Sequence, residues 1–255
     1  YLCFLYLTKY YFSKNKKQMR LLAKEKWQKK VNDVINNYFF NKVNIKGSMS
    51  QTDKINLILS NHISVLDFLI IISALNHFGI SEYYFVFKES ILKIPIFGGI
   101  LQDDIRISRN WETDQDLIIN QVNNINHGTI IIFPEGTRFS LSKHKKSLKF
   151  CYDNKIPFYN YTLAPKAKGL HCLVNILKEN NKLGHIYDFT IVMPKFINKD
   201  IKISDLLGSE KFGDLYLKIN EIEFNNCSDY NEFKKQLFSI WLYKNIFFDS
   251  KSPIK

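Results

Sequence analysis

Three short stretches of the chain combine residue types that can do chemistry together. The first is Ser60-Asn-His-Ile-Ser-Val-Leu-Asp67. A neutral imidazole, with an ordinary pKa near ~6.5, can take up a proton at neutral pH. A neighbouring carboxylate would fix its tautomer and stabilise the imidazolium that forms. The spacing constrains how His62 and Asp67 could meet. On one continuous helix, steps of ~100° per residue would set them on different faces, about 140° apart. Contact therefore requires His62 in a turn and Asp67 on the first helical turn. The apolar run Ile55–Ser60 before the pair and the apolar run Leu66–Leu75 after it supply that strand-to-turn-to-helix pattern. By itself the pair decides nothing, because a loop histidine is more often structural than catalytic.

The second stretch is Phe133-Pro-Glu-Gly-Thr-Arg138, directly after the β-branched run Thr129–Ile132. Pro134 stops a strand, Gly136 permits a backbone turn closed to most residues, and Arg138 offers a planar fork for phosphate. Glu135 is suited to accept hydrogen bonds from sugar or glycerol hydroxyls, or to hold an arginine. The plain alternative is a capped turn with a surface ion pair. The third stretch, Ile105-Arg-Ile-Ser-Arg109 leading into Asn110-Trp111, ends a short strand. Arg106 and Arg109 would point to opposite faces, so at most one enters a given pocket, and Arg109 at the strand end is the better placed.

Together these pieces resemble the lysophospholipid acyltransferase family, and within it the lysophosphatidic acid and lysocardiolipin branch. The family's Asn-His-x4-Asp motif matches Asn61, His62 and Asp67. Its Phe-Pro-Glu-Gly-Thr-Arg motif matches residues 133–138 without a change. Its motif ending in Arg before an aromatic is similar to residues 105–111. Further likenesses are Lys93-Ile-Pro-Ile-Phe-Gly98, His144-Lys-Lys-Ser147 and Trp241-Leu-Tyr243. Ala164-Pro-Lys-Ala-Lys-Gly169 stands where the branch usually has Pro-Arg-Thr-Lys-Gly, so Lys166 and Ala167 are departures. The resemblance implies acyl transfer from acyl-CoA, as co-substrate, to a hydroxyl of a lysophospholipid. His62 would be the general base and Asp67 its orienter, with substrate binding carried onto Arg109, Glu135, Gly136, Thr137 and Arg138. It implies no cofactor and no metal. The expected partners are acyl-CoA, a lysophospholipid and a membrane surface, and not nucleic acid. Two other readings stay open: CoA-independent transacylation between phospholipids, and a non-catalytic basic membrane-binding protein.

The elements that must position these residues are legible as alternating patterns. Strands are expected at Ile55–Ser60, Tyr83–Phe87, Asp104–Ser108, Thr129–Phe133, Tyr159–Ala164 and Tyr187–Met193, with an edge strand at Leu215–Phe224. Helices are expected at Leu66–Leu75, at Asp114–Val122 capped by Thr113, at Ser142–Asn154 and at Glu232–Phe247. Such alternation predicts one α/β domain with a mixed, largely parallel sheet flanked by helices. We place that domain at residues 41–255, after an aromatic and basic membrane-associating segment at 1–40. Within the segment, Met19–Tyr38 reads as an amphipathic helix with Trp27, Val31, Val34, Ile35 and Tyr38 on one face.

Composition narrows the class without naming a function. Apolar residues make up 45% of the 255, which excludes global disorder. A net charge of +12 suits a polyanionic surface, and anionic lipid headgroups fit as well as nucleic acid. The four cysteines form no C-x-x-C pair, so no disulfide scaffold or zinc site is implied. The chain opens on Tyr1 rather than Met, and we expect the natural N-terminus to lie upstream. Aromatic residues 1–12 followed by basic residues 14–20 are the order of a cytosolic membrane interface. The expected location is thus a membrane, the active site facing the cytosol, resembling the endoplasmic reticulum if the source is eukaryotic.

Overall fold

The computed structural model describes residues 26–90, 104–108, 110–201, 205, 208 and 210–252. Seven strands form one sheet: β1 (Lys42–Lys46), β2 (Ile55–Ser60), β3 (Tyr83–Lys88), β4 (Ile105–Ile107), β5 (Gly128–Ile132), β6 (Leu183–Val192) and β7 (Asp214–Ile222). Their order across the sheet is β1-β7-β6-β2-β5-β3-β4. Every pairing is parallel except β6 with β7. The sheet is therefore mixed and largely parallel, as the alternating pattern predicts.

β2 lies at the centre, between β5 and β6, and all of its residues are buried. A strand covered on both faces has no polar side, which is why Ile55-Asn-Leu-Ile-Leu-Ser60 shows no alternation. Its side chains still divide by face: Ile58 joins one core, and Ile55, Leu57 and Leu59 the other. The first core is closed by α1 (residues 26–34) and α2 (Asp67–His77). The second is closed by α3 (Trp111–Asn123), α4 (Leu141–Asp153), α5 (Ala167–Glu179) and α6 (Tyr230–Lys251).

Several expectations change. Leu215–Phe224 corresponds to β7, which is not an edge, because the short β1 pairs outside it. Residues 159–164 form no strand. Two of their main-chain N–H groups go to side chains instead: Leu163 N–H donates to Glu135 and Ala164 N–H to Ser147 Oγ. Helix α5, not foreseen, follows directly and buries Leu170, Leu173, Val174 and Leu177. Asn110, not Thr113, caps α3, its side chain accepting from Glu112 N–H.

The 1–40 segment divides. Residues 1–25 lie outside the described residues, while 26–40 pack into the domain. Val31, Ile35 and Phe40 are core residues, and the buried Gln28 amide donates to the Ile80 carbonyl at 2.7 Å. Tyr38 leaves the expected apolar face and is 72% exposed. The reason is the wide π turn Ile35–Phe39, which adds a residue to the turn and rotates Phe39 and Phe40 inward in its place.

Gly47, just after β1, has φ +112°, and a Cβ there would stand 2.2 Å from the Ile219 carbonyl oxygen of β7. Both the conformation and the contact exclude a side chain. Gly47→Ala is expected to destabilise the fold by at least about 1–3 kcal/mol in denaturant titration. A change under about 0.5 kcal/mol, the usual surface value, would show that β1 yields without disturbing β7.

Candidate active site

The parallel strands β2 and β5 end side by side, with Leu59 opposite Ile132. The two motifs that follow them are stapled together through the main chain of His62. Its N–H donates to Glu135 Oε1 at 3.2 Å, and its carbonyl accepts from Phe139 N–H at 2.7 Å. On the other side, Asn61 clamps β6: its amide donates to the Ile191 carbonyl at 2.9 Å and accepts from Ile191 N–H at 2.8 Å. Asn61 is fully buried, so these bonds satisfy a side chain that would otherwise oppose folding.

His62 and Asp67 meet as the spacing requires, His62 in the turn and Asp67 as the first residue of α2. His62 Nδ1 lies 2.8 Å from Asp67 Oδ2. The same oxygen accepts Ile63 N–H at 2.6 Å and Ser64 N–H at 2.9 Å, and Ser64 Oγ donates to Oδ1 at 3.3 Å. Asp67 has no solvent exposure, and these donors satisfy its carboxyl group inside the fold. A carboxylate can only accept, so Nδ1 carries the ring proton and Nε2 presents its lone pair. The imidazole stacks on Phe133, centroids 4.2 Å apart, and its side chain keeps 21% exposure. This is a held, oriented and solvent-accessible imidazole. The Ile63 and Ser64 N–H groups are committed to Asp67 and are not free to bind an oxyanion.

Glu135 occupies a different place from the one its residue type suggests. Its hydrogen-bond partners are main-chain donors and not an arginine. It is buried, with Oε1 on His62 N–H and Oε2 on Leu163 N–H at 3.3 Å. Burial pushes its pKa up to about 8. The Leu163 and His62 N–H groups oppose that rise, followed by the positive charge of Lys244. The Trp241 indole, which has no geometrically acceptable hydrogen bond of its own, adds a smaller effect of the same sign.

Gly136 turns the chain at φ +70°, and its N–H closes the turn on the Phe133 carbonyl at 2.9 Å. Lys166 Nζ lies 3.3 Å from where a Cβ on Gly136 would be, so the lysine that departs from the usual arginine still sits over the turn. Lys143 Nζ donates to Thr137 Oγ1 at 2.8 Å and to the Arg138 carbonyl at 3.1 Å, while the Arg138 side chain is exposed. His144 and Ser147 serve the neighbouring loop: His144 Nε2 meets the Tyr159 carbonyl at 2.7 Å, and Ser147 holds Ala164. Arg109 and the Lys93–Gly98 stretch lie outside the described residues. Among the described residues no three His, Cys, Asp or Glu side chains gather into a metal-binding group.

A family model described as Acyltransferase matches residues 42–171, about half of the chain. The chain belongs to the acyltransferase family. Both stapled motifs fall inside the matched span. The chain is 30% identical over 167 residues to the probable 1-acyl-sn-glycerol-3-phosphate acyltransferase 5 of Arabidopsis thaliana, covering 60% of this chain and 44% of that protein. It is 30% identical over 148 residues to lysocardiolipin acyltransferase 1 of Gallus gallus, covering 55% and 39%. The acyltransferase chain thus spans less than half the length of these curated relatives. The crystal structure of PlsC, the 1-acyl-sn-glycerophosphate acyltransferase of Thermotoga maritima, shares its fold with a TM-score of 0.56. That match is 17% identical and covers 97% of this chain and 87% of PlsC. Among the described residues no helix of the acyltransferase is long and apolar enough to cross a membrane.

Proposed function

We propose that the protein transfers a fatty acyl group from acyl-CoA to a hydroxyl of a lysophospholipid, lysophosphatidic acid or a related lipid. The observation that carries this reading is the His62–Asp67 pair, stapled through the His62 main chain to the Pro134–Arg138 turn. A lipid hydroxyl keeps its proton at neutral pH and attacks poorly without a positioned base. His62 Nε2 takes that proton as the oxygen attacks the thioester carbonyl, and Asp67 stabilises the imidazolium. The tetrahedral intermediate expels the CoA sulfur as the C–S bond breaks, and the imidazolium returns its proton to the thiolate. Ester and free CoA leave, with His62 neutral again. A positioned base of this kind contributes about 10²–10⁴-fold in rate.

Arg109 and Arg138 bind the acceptor phosphate, helped at the turn by Lys143 and Lys166, and the turn at Gly136 and Thr137 orients the acceptor. Phosphate binding fixes which hydroxyl reaches His62, converting a bimolecular encounter into a local one. The acceptor lives in a bilayer, so the enzyme works at a membrane surface. The aromatic and basic residues 1–30 are suited to bring it there from the cytosolic side.

The test is purified protein on vesicles carrying a panel of lysophospholipids, with labelled acyl-CoA and products identified by mass. A diacyl lipid should appear in step with free CoA. Free fatty acid alone would indicate a hydrolase. Acyl exchange between phospholipids without acyl-CoA would indicate a transacylase and reject the proposed donor.

A further inference from the structure

Behind the site, helix α6 buries a lysine. Lys244 is 1% exposed, and its ammonium donates to Asp188 Oδ1, to the Phe189 carbonyl at 2.7 Å and to Thr190 Oγ1 at 3.3 Å. Three acceptors on β6 thus satisfy the three ammonium protons. Trp241, one turn earlier, lies with its ring centroid 4.6 Å from the same ammonium. Holding α6 against β6 does not by itself call for a charge, because well-packed apolar residues replace buried ion pairs without loss in many proteins.

Two routes connect this ammonium to the His62 main chain. The residue after Thr190 on β6 is Ile191, which Asn61 grips from both its N–H and its carbonyl. The second route runs through Glu135, whose Oε1 holds the His62 N–H and on which the Lys244 charge acts directly. We propose that Lys244 is a positioning residue: its buried charge keeps Glu135 and the end of β6 in the arrangement that fixes His62. The proposal rests on His62 as the base, though one of its readouts does not involve catalysis.

The charged groups around Glu135 come from several elements. Burial lowers the pKa of Lys244 on α6, which Asp188 on β6 and Glu135 oppose and Lys218 on β7 reinforces. His62 and Asp67 lie in the turn after β2, and Lys166 lies over Gly136. Both Glu135 oxygens accept N–H groups, so a proton on either one weakens it as an acceptor. The hold on His62 therefore tightens as pH rises through about 8, where Glu135 ionises. Stability runs the opposite way. A carboxyl whose folded pKa is raised contributes stability that is full below the ordinary carboxylate range and is lost as pH rises through the folded value. With Glu135 intact, Tm falls as pH rises towards about 8 and levels off above it, while kcat rises through about 8.

Lys244→Met alone would leave Asp188 buried without its partner and risks unfolding, so the test uses the double variant Asp188→Leu with Lys244→Met. It removes both charges and keeps apolar volume between α6 and β6. Unchanged, Glu135→Gln and double-variant proteins are compared in the vesicle assay and in thermal melts from pH 6 to 10. In the double variant, kcat at pH 7 is expected to fall roughly tenfold or more, in line with the penalty for a misplaced catalytic group. The pH midpoint of kcat and the pH at which Tm levels off should both move upward. Glu135→Gln should lack both features, and adding the double substitution to it should change kcat less than it does with Glu135 intact, the remainder passing through β6. A folded double variant with kcat and both features unchanged would reduce Lys244 to an anchor for α6. Should the double variant not fold, Glu135→Gln decides, since features that survive it would overturn the proposal. Absence of acyl transfer in the unchanged protein would instead reject the proposed function, and the pH at which Tm levels off would still test the coupling of Lys244 to Glu135.

Discussion

His62→Ala is expected to lower kcat for acyl transfer by at least about 10²-fold while leaving the fold intact. Among the described residues the His62 imidazole is the ring nitrogen that meets Asp67, so none of these neighbours replaces it. Its main chain holds the site together through bonds that do not involve the ring: N–H to Glu135 and carbonyl to Phe139. Alanine keeps both. Asp67 retains Ile63 and Ser64 N–H groups, so its buried charge is not left bare. Part of the Phe133 face is uncovered, which costs little beside the core of the sheet. Turnover and a thermal melt on the same preparation check this. Retention of more than about a tenth of the activity would remove His62 from the role of base.

The same bonds explain how much of the site was legible in the sequence. His62 and Asp67 lie five residues apart, and a strand-to-helix turn between them is a local feature that periodicity can reveal. Pro134 and Gly136 mark the second turn in the same local way. That the two turns touch depends on β2 and β5 being neighbours, which no spacing shows; the family resemblance supplied that link. For Glu135, residue type alone says that it can accept hydrogen bonds, and not from whom. Its donors, His62 and Leu163, are main-chain groups on two other loops. Leu163 was itself assigned to a strand, because Tyr159-Asn-Tyr-Thr-Leu-Ala164 has β-forming residues, but two of its N–H groups go to side chains instead of a ladder. Helix α5 has a signal in the sequence, Leu170, Leu173, Val174 and Leu177 at helical spacing, directly after the Ala164–Gly169 likeness. Lys244 left none. In a chain rich in lysine, a buried one looks like all the others until α6 is packed against β6.

Asp67 can be separated into a charge and a set of acceptors. Ile63 N–H, Ser64 N–H and the His62 ring all meet Oδ2, whereas Oδ1 meets only the Ser64 hydroxyl. In Asp67→Asn the amide oxygen is thus driven to the Oδ2 position, since an NH₂ there would face two main-chain donors. The Ser64 oxygen can accept from the amide on the other side. The ring still donates from Nδ1, so the tautomer survives and only the negative charge is lost. We expect kcat to fall about 10²-fold, which is about 2.7 kcal/mol of lost imidazolium stabilisation, with Tm nearly unchanged. Asp67→Ala removes the acceptors as well. The Ile63 and Ser64 N–H groups are then buried without partners, at about 1–3 kcal/mol each, and the ring is no longer oriented. Its kcat should fall as far as that of His62→Ala, with a loss of about 2–6 kcal/mol in denaturant titration. Asn at more than half the original kcat would show that the charge is not used in the reaction. Ala as stable as the unchanged protein would show that the turn does not depend on these bonds. A fall in activity for Ala but not for Asn would leave Asp67 as an orienter of the ring and nothing more.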